Sequence, residues 1–375
     1  MTPRAAAPQG STAGAKRCCN PRSEKNQREV PLLHRLTCAG FAGLLFGSFF
    51  CTAPAFAQDH AWLDQKLLAA AKAEGGEMII YSSTNEGEGL PLWKLFTDAT
   101  GIKVHYVRAS DAILMSRMTL EFRANKQAWD IAQTATINKM PPAELVQYDP
   151  PEAKNIAPEA RDPQRRWYGV YANYNAPDYN TQHVHAADLP KSYEDFAKHP
   201  EWAGHVSIDG TDNEWLKAMV DYYGDDKATK IVKDIVATLK PVVTDGHLAA
   251  ARSVGSGEYW VGLNQYVNLT MNVKLAGGPI DTFALDPVAL FFGAVGVSAK
   301  APHPNTALLA ANFMISKECE TFLAKFGRIP TRADVESNPP GIVQAMHQRK
   351  VITVLLTPQE ESKWQRKFNE LFKGQ

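Results

Sequence analysis

The feature that most limits how this chain can fold is a local unit that recurs from Met78 onward: a short apolar run, a polar loop, then an amphipathic stretch. Met78-Ile79-Ile80-Tyr81 leads into SSTNEGEG and then into a helical face of Leu92, Trp93, Leu95 and Phe96. Gly101 closes that helix ahead of a second run from Ile102 to Val107. The loop 108–111, a helix over 112–124, a strand at 129–132 and the loop 133–136 repeat the unit. Successive strands joined through helices run parallel, so the alternation predicts an α/β fold with helices on both faces of a parallel sheet.

After a proline-rich, charged stretch at 138–166, read as a surface excursion, comes the aromatic strand WYGVYANYNAPDYN. The unit then restarts with a strand at 205–208, DGTDNEWLKAMVDYY entering a helix, a helix at 225–239, a strand at 241–243, a helix at 246–254 and a strand at 259–263. An apolar run at 290–297, a helical region from Pro304 to Phe326 and a charged helix at 358–373 complete the chain. Two rounds of the unit in 375 residues predict two lobes. One is assigned to 58–170 and 283–345 and the other to 171–282, joined by strands near 168–175 and 276–286, with a C-terminal helical segment at 346–375.

The formal charge of zero conceals two unlike segments. Residues 1–57 carry a net charge of +5 and four of the five cysteines, Cys18, Cys19, Cys38 and Cys51. Arg28, His34 and Arg35 precede an uncharged run ending in Ala55-Phe56-Ala57, the pattern of a secretory signal cleaved after Ala57. The remainder, with a net charge of −5, would be periplasmic and held together by its core, since Cys319 is its one cysteine. Cys319 reads as a small buried apolar residue. A balanced charge excludes a strongly basic nucleic-acid binder. The sequence has no G-x-S-x-G elbow, P-loop, G-x-G-x-x-G after a strand or H-E-x-x-H, and it offers no nucleophile–base pair. His183 and His185 lack ligand partners at metal spacing and read as a solvated loop.

In such sheets ligands bind beyond the carboxyl ends of the strands, where polar loops gather. The loop Ser82-Ser83-Thr84-Asn85 offers more hydroxyl and amide groups than one N-cap requires, which makes Ser82, Ser83 and Asn85 candidate contacts. Arg108 and Ser110 hold the equivalent place after the second strand. The guanidinium suits a carboxylate or phosphonate, or else pairs with Asp111. Thr134 and Thr136 complete this set. In the second lobe Thr211 reads as an N-cap with Glu214 as its capping-box acid. The turn Thr211-Asp212-Asn213 and Asp245 would take an amine, a hydroxyl or a metal. Asn264 and Tyr266, in GLNQYVN at a strand end, would be hard to satisfy in a core and are expected to face a cleft. Tyr171 and Tyr174 are expected along the hinge wall.

MIIYSSTNEGEG with FTDATGIKV, WDIAQTATI, YGVYANYN, PVVTDGHLAAARSVGSGEYWVGLNQYVN and GAVGVSAKAPHPNTALLAANFMISKECETFLAKFGRIPTR follow one another in a familiar order. On these stretches the chain beyond residue 57 resembles the type II periplasmic solute-binding proteins of ABC transporters, in particular the ferric-ion-binding branch of extracellular solute-binding protein family 1. The resemblance implies two α/β lobes with a hinge and an interlobe ligand cleft. Iron-binding members hold the metal with a His in the first loop, a Glu after the third strand and two adjacent Tyr. The matching positions here are Asn85, Ala135 and Tyr266-Val267, so Tyr266 is the one iron ligand carried over, and a phenolate with an amide is a poor ferric site. What the resemblance implies is a monomeric binding component that captures a small polar or anionic solute between closing lobes. It would deliver the solute to permease subunits in the inner membrane, with no cofactor and no nucleic-acid partner. Ferric iron or an iron chelate is the alternative cargo; an enzyme or a sensor partner on the same fold stands further off.

Overall fold

A computed structural model describes residues 60–372, so the leader expected at 1–57, its expected cleavage after Ala57 and the four cysteines there lie outside the described residues. The first round of strands comprises β1 (Glu77–Ser82), β2 (Lys103–Arg108) and β3 (Ile131–Thr134), with helices α1 (Gln65–Ala73), α2 (Glu86–Thr100) and α3 (Asp111–Arg123). β1 is central and parallel to both neighbours: Ile80 stands opposite Tyr106 on one side and Ile131 on the other. α2 ends as its sequence requires, with Gly101 in the left-handed region at φ 74° and its N–H on Thr97 O.

The chain then crosses through β4 (Trp167–Asn180), a 14-residue strand buried along its whole length. A second round follows: β5 (Val206–Asp209), α4 (Asn213–Tyr223), α5 (Asp225–Leu239), β6 (Val242–Thr244), α6 (His247–Ser256), β7 (Val261–Tyr266) and α7 (Val267–Leu275). After the short β8 (Ile280–Thr282) the chain returns along β9 (Val288–Val297) into α8 (Pro304–Met314), α9 (Lys317–Ala324) and α10 (Ile342–His347). β10 (Val351–Thr353) and α11 (Pro358–Phe372) complete it. The strand order is β2-β1-β3-β9-β4-β7-β5-β6, with β10 against β9 and β8 against β4.

The sheet is therefore mixed, where the alternation alone predicts a parallel one. Each round is parallel within itself, but β4 leaves and β9 returns side by side, antiparallel, from Trp167 opposite Gly296 to Asn175 opposite Ala289. Beyond that overlap β4 pairs antiparallel with β7, Asn175 opposite Tyr266 and Tyr179 opposite Val261, so one strand serves both rounds.

Two hydrophobic cores flank this crossing. The first gathers Leu92, Trp93 and Phe96 of α2 with Phe313 of α8 and Cys319 of α9. Cys319 is fully buried, as a small apolar residue would be. The second gathers Trp202, Trp215, Ile231 and Val232 with Trp364 and Phe368 of α11.

Three local expectations are corrected. The stretch at 138–166 is not a surface excursion: Pro142, Pro151 and Pro158 each open a 3-10 turn, and Glu144, Ala153, Ile156 and Ala160 are buried. The helical region expected from Pro304 to Phe326 is divided into two helices, because Ser316 turns back to cap α9, accepting Cys319 N–H at 3.1 Å. Asp212, not Thr211, caps α4, accepting Trp215 N–H at 3.2 Å.

α8 starts without a local side-chain cap, and Glu74 from the end of α1 serves instead. Its carboxylate accepts the N–H groups of Asn305 and Thr306, both at 2.9 Å, and their side chains at 2.6 and 3.0 Å. Burial opposes ionisation there, but these bonds outweigh it and hold the Glu74 pKa below the usual carboxylate range. Glu74→Ala is expected to cost about 1.5–3 kcal/mol of stability at neutral pH. The contribution is present above the unfolded pKa and is lost as pH falls through the folded one. Urea unfolding of both proteins at neutral pH and in acid checks this, the difference shrinking in acid.

Candidate functional site

Between the two cores lies a cleft of about 680 Å³. Its first wall is built at the carboxyl ends of β1, β2 and β3, by Ser83 and Asn85, Arg108 and Ser110, and Ala135 and Thr136. The second wall follows β5, β6 and β7, with Thr211, Asp245, His247 and Tyr266. Tyr171 and Asn173 of β4 and Phe291 of β9 contribute from the crossing strands.

Of the residues singled out in the sequence, Ser83, Asn85, Arg108, Ser110, Thr136, Tyr171, Thr211, Asp245 and Tyr266 meet on this cleft. The others turn away from it, each for a local reason. Ser82 alternates inward from Ser83 and donates to Gln133 Oε1 at 2.7 Å. Thr134 braces its own turn, donating to Asp111 and accepting Thr136 N–H at 3.2 Å. Tyr174 points into the first core, its hydroxyl 2.8 Å from His347 Nε2. Asp212 is consumed by the α4 cap and by Asn175, and Asn213 donates to Gln365 Oε1 at 3.2 Å. Asn264 clamps β7 to β5, accepting Asp209 N–H at 2.8 Å and donating to Asp209 O at 3.0 Å. Val267 and Asn268 begin α7 and are buried, so of the GLNQYVN segment Tyr266 reaches the cleft.

Two helices present their starts to this space. Ser110 and Ala112 of α3 line it, as do Gly246, His247, Leu248 and Ala249 of α6. Neither Ser110 nor Gly246 makes a side-chain cap bond, so first-turn N–H groups remain free for an anion. Asn85, the N-cap of α2, likewise makes no cap bond, and its Oδ1 accepts from the exposed Arg108 at 3.2 Å.

Apart from the exposed Asp245, the other charges of the cleft are internally engaged, Asp111 by Thr134 Oγ1 and Ala135 N–H. Arg328 is buried, pairs with Glu88 at 2.7 Å and lies 4.3 Å above the Tyr171 ring. Lys139, 4% exposed, reaches Glu361 at 2.9 Å and Glu214 at 3.4 Å. His247 stacks on Tyr266 with ring centroids 3.5 Å apart, and burial pushes its pKa down, keeping it neutral. Burial, then the nearby Asp212 and Glu214, push the Tyr266 phenol well above its usual range. Among the described residues no group of three or more His, Cys, Asp or Glu is arranged to hold a metal.

Asn173, Lys139, Glu214, His247, Arg328 and Glu361 also line the cleft and were not picked from the sequence. His247 could have been, since Thr-Asp-Gly-His repeats the strand-to-helix turn that singles out Ser83 and Ser110. Arg328, in the loop after α9, and Glu361 of α11 arrive from remote parts of the chain, and nothing local announces them.

Residues 132–349 match the model of a family described as bacterial extracellular solute-binding protein, more than half of the chain. The chain belongs to that family. Its place is therefore that of a solute-capturing component of an ABC importer acting outside the cytoplasm, in a family of binding proteins rather than enzymes. Iron uptake protein A1 of Synechocystis is 25% identical over 281 residues, 69% of this chain and 76% of that one. Among solved structures, AfuA of Actinobacillus pleuropneumoniae with exogenous fructose-6-phosphate bound is similar at a TM-score of 0.67. It is 20% identical, over 80% of this chain and 99% of that one. Iron-bound HitA of Pseudomonas aeruginosa is similar at 0.64 and 20% identity, over 80% and 98%. These structures share the two-lobed type II periplasmic binding-protein fold.

The cleft's two arginines differ in kind. Arg328→Met would leave Glu88 buried without its cation and is expected to cost about 3–5 kcal/mol of stability. Arg108→Met, at the exposed end of β2, is expected to change it by less than about 0.5 kcal/mol. Denaturant titration of the two variants separates the scaffold arginine from the free one.

Proposed function

We propose that this protein is a periplasmic, monomeric binding protein for a small organic anion, freed from its leader by cleavage after Ala57. The observation that carries the reading is the convergence of Arg108 with the uncapped starts of α3 and α6 on one cleft. A guanidinium and free helical N–H groups suit a carboxylate or phosphate, and neither needs a resident metal or cofactor. Ser83, Asn85, Ser110 and Thr136 hold the anionic group beside Arg108. Thr211, Asp245 and Tyr266 take the rest of the solute, and Tyr171 packs beneath it.

Residues 58–170 with 283–345 form one lobe, 171–282 the other, and the C-terminal segment 346–375 contributes Glu361 to the cleft. Because contacts from both walls exist together only in the closed state, the solute stabilises that state by its differential affinity. The closed, loaded protein is what the membrane permease subunits receive. Calorimetric titration with a panel of small carboxylates and organophosphates tests the reading. A binder is expected, and Arg108→Ala should weaken it about 10–100-fold, the worth of a charge-assisted pair. A binder indifferent to that change would remove Arg108 from the site.

Ferric iron, named in the relatives, is the second reading, because Asn85, Ala135 and Tyr266 stand together on the cleft at the positions matching three iron ligands. Tyr266 is the single titratable donor among them, burial opposes its ionisation, and Val267 is buried in the first core, so bare iron is poorly served. Adding ferric citrate is expected to give no tyrosinate-to-iron absorption band. A band abolished by Tyr266→Phe would establish iron as cargo.

A further inference from the structure

The two walls of the cleft differ in charge. The first presents Arg108, whose partner among the described residues is the neutral Asn85 Oδ1, Asp111, whose carboxylate is taken up by Thr134 Oγ1 and Ala135 N–H, and Arg328, whose charge Glu88 already neutralises. The second carries Glu214, Asp245 and Glu361 on its surface, with the buried Asp209 and Asp212 directly behind His247, 3.5 and 3.9 Å from its Nε2. Asp209 is satisfied by the Thr211 and Gly246 N–H groups, neutral donors that leave its negative charge in place, whereas burial pushes Asp212 well above the usual carboxylate range. Lys139 is committed to Glu214 and Glu361. Asp245 has no hydrogen-bond or ion-pair partner among the described residues and stands exposed to the cleft.

A second, independent feature points the same way. His247 and Asn173, 6% and 2% exposed, line the cleft with polar atoms that have no partner: both ring nitrogens of His247, and Oδ1 of Asn173. An amide oxygen only accepts, so Asn173 requires an N–H or O–H from whatever fills the space. Neutral His247 does not offset the acids beside it.

Resting on the anion reading above, we infer that the solute is a zwitterion, a small amino-bearing organophosphate or carboxylate. Its anionic group lies against Arg108, and its ammonium lies on the acidic wall against Asp245, with Asn173 Oδ1 open to a further donor. The free charges of the two walls, one positive and one negative, then both find partners in a single molecule that spans the cleft. A purely anionic solute would leave Asp245 facing like charge.

The test is calorimetric titration of the purified protein near neutral pH with two matched pairs, O-phosphoethanolamine with ethyl phosphate and β-alanine with propionate. In the pair whose anionic group is accepted, the amine-bearing member is expected to bind at least about tenfold tighter. Asp245→Asn should abolish that advantage, weakening the amine-bearing member by losing its ion partner and tightening the amine-free member by removing a like charge. Equal or tighter binding by the amine-free member overturns the zwitterion and leaves the anion reading standing. Glycerol 3-phosphate matching O-phosphoethanolamine overturns it in favour of hydroxyl donors. A preference that survives Asp245→Asn overturns the assignment of the ammonium to Asp245. Failure of all these compounds to bind overturns the anion reading and the zwitterion with it. Near-UV circular dichroism of Asp245→Asn, an exposed position, separates a binding effect from misfolding.

Discussion

The antiparallel pairing of β4 with β9 is the constraint on which the rest of the structure depends. Each strand round can bury its helices only on its own side, and the chain must leave one round and return to it. Laying the outgoing and returning segments side by side satisfies the backbone of both crossings at once, with no unpaired edge between the cores. The same pairing places cleft residues. Tyr171 stands opposite Gly293, where any Cβ would overlap the tyrosine ring. The ring lies flat across β9 because the glycine leaves room, and Arg328 can then rest on its face. A backbone requirement of the fold thus also supplies the floor of the site.

The electrostatics of the cleft follow a similar economy. Buried ions are costly unless matched, and Arg328 with Glu88, and Lys139 with Glu214 and Glu361, are matched within the protein. Lys139 comes from the turn after β3 while its acids come from α4 and α11, so this match spans the two walls. Arg108, at the end of β2, and Asp245, in the loop after β6, have no such ion partner and are exposed to water. That division keeps the scaffold independent of the ligand while leaving the recognition groups free.

Much of the architecture was legible because it rests on local patterns. Gly101 marks a helix end that only a left-handed residue completes, and the helix at 225–239 is assigned to its residue. Mixed sheet direction was not legible, since the pairing of β4 with β9 joins residues more than a hundred positions apart. In the loops, composition identified the right segments but not the right members. Strand alternation turns Ser83 outward and Ser82 inward, and a polar residue at a strand end may serve the backbone as Asn264 does. Asp212 took the cap expected of Thr211 because its carboxylate lies within reach of Trp215 N–H. Arg328, Lys139 and Glu361 acquire meaning only through partners distant in sequence.

α11 packs Trp364 and Phe368 into the second core and brings Glu361 and Gln365 to the cleft. It follows every other described element in the chain. A polypeptide made amino end first therefore presents both strand rounds before the helix that finishes one of their cores and one edge of the cleft. Completion of the second core and completion of the cleft's lining thus wait on the same late helix.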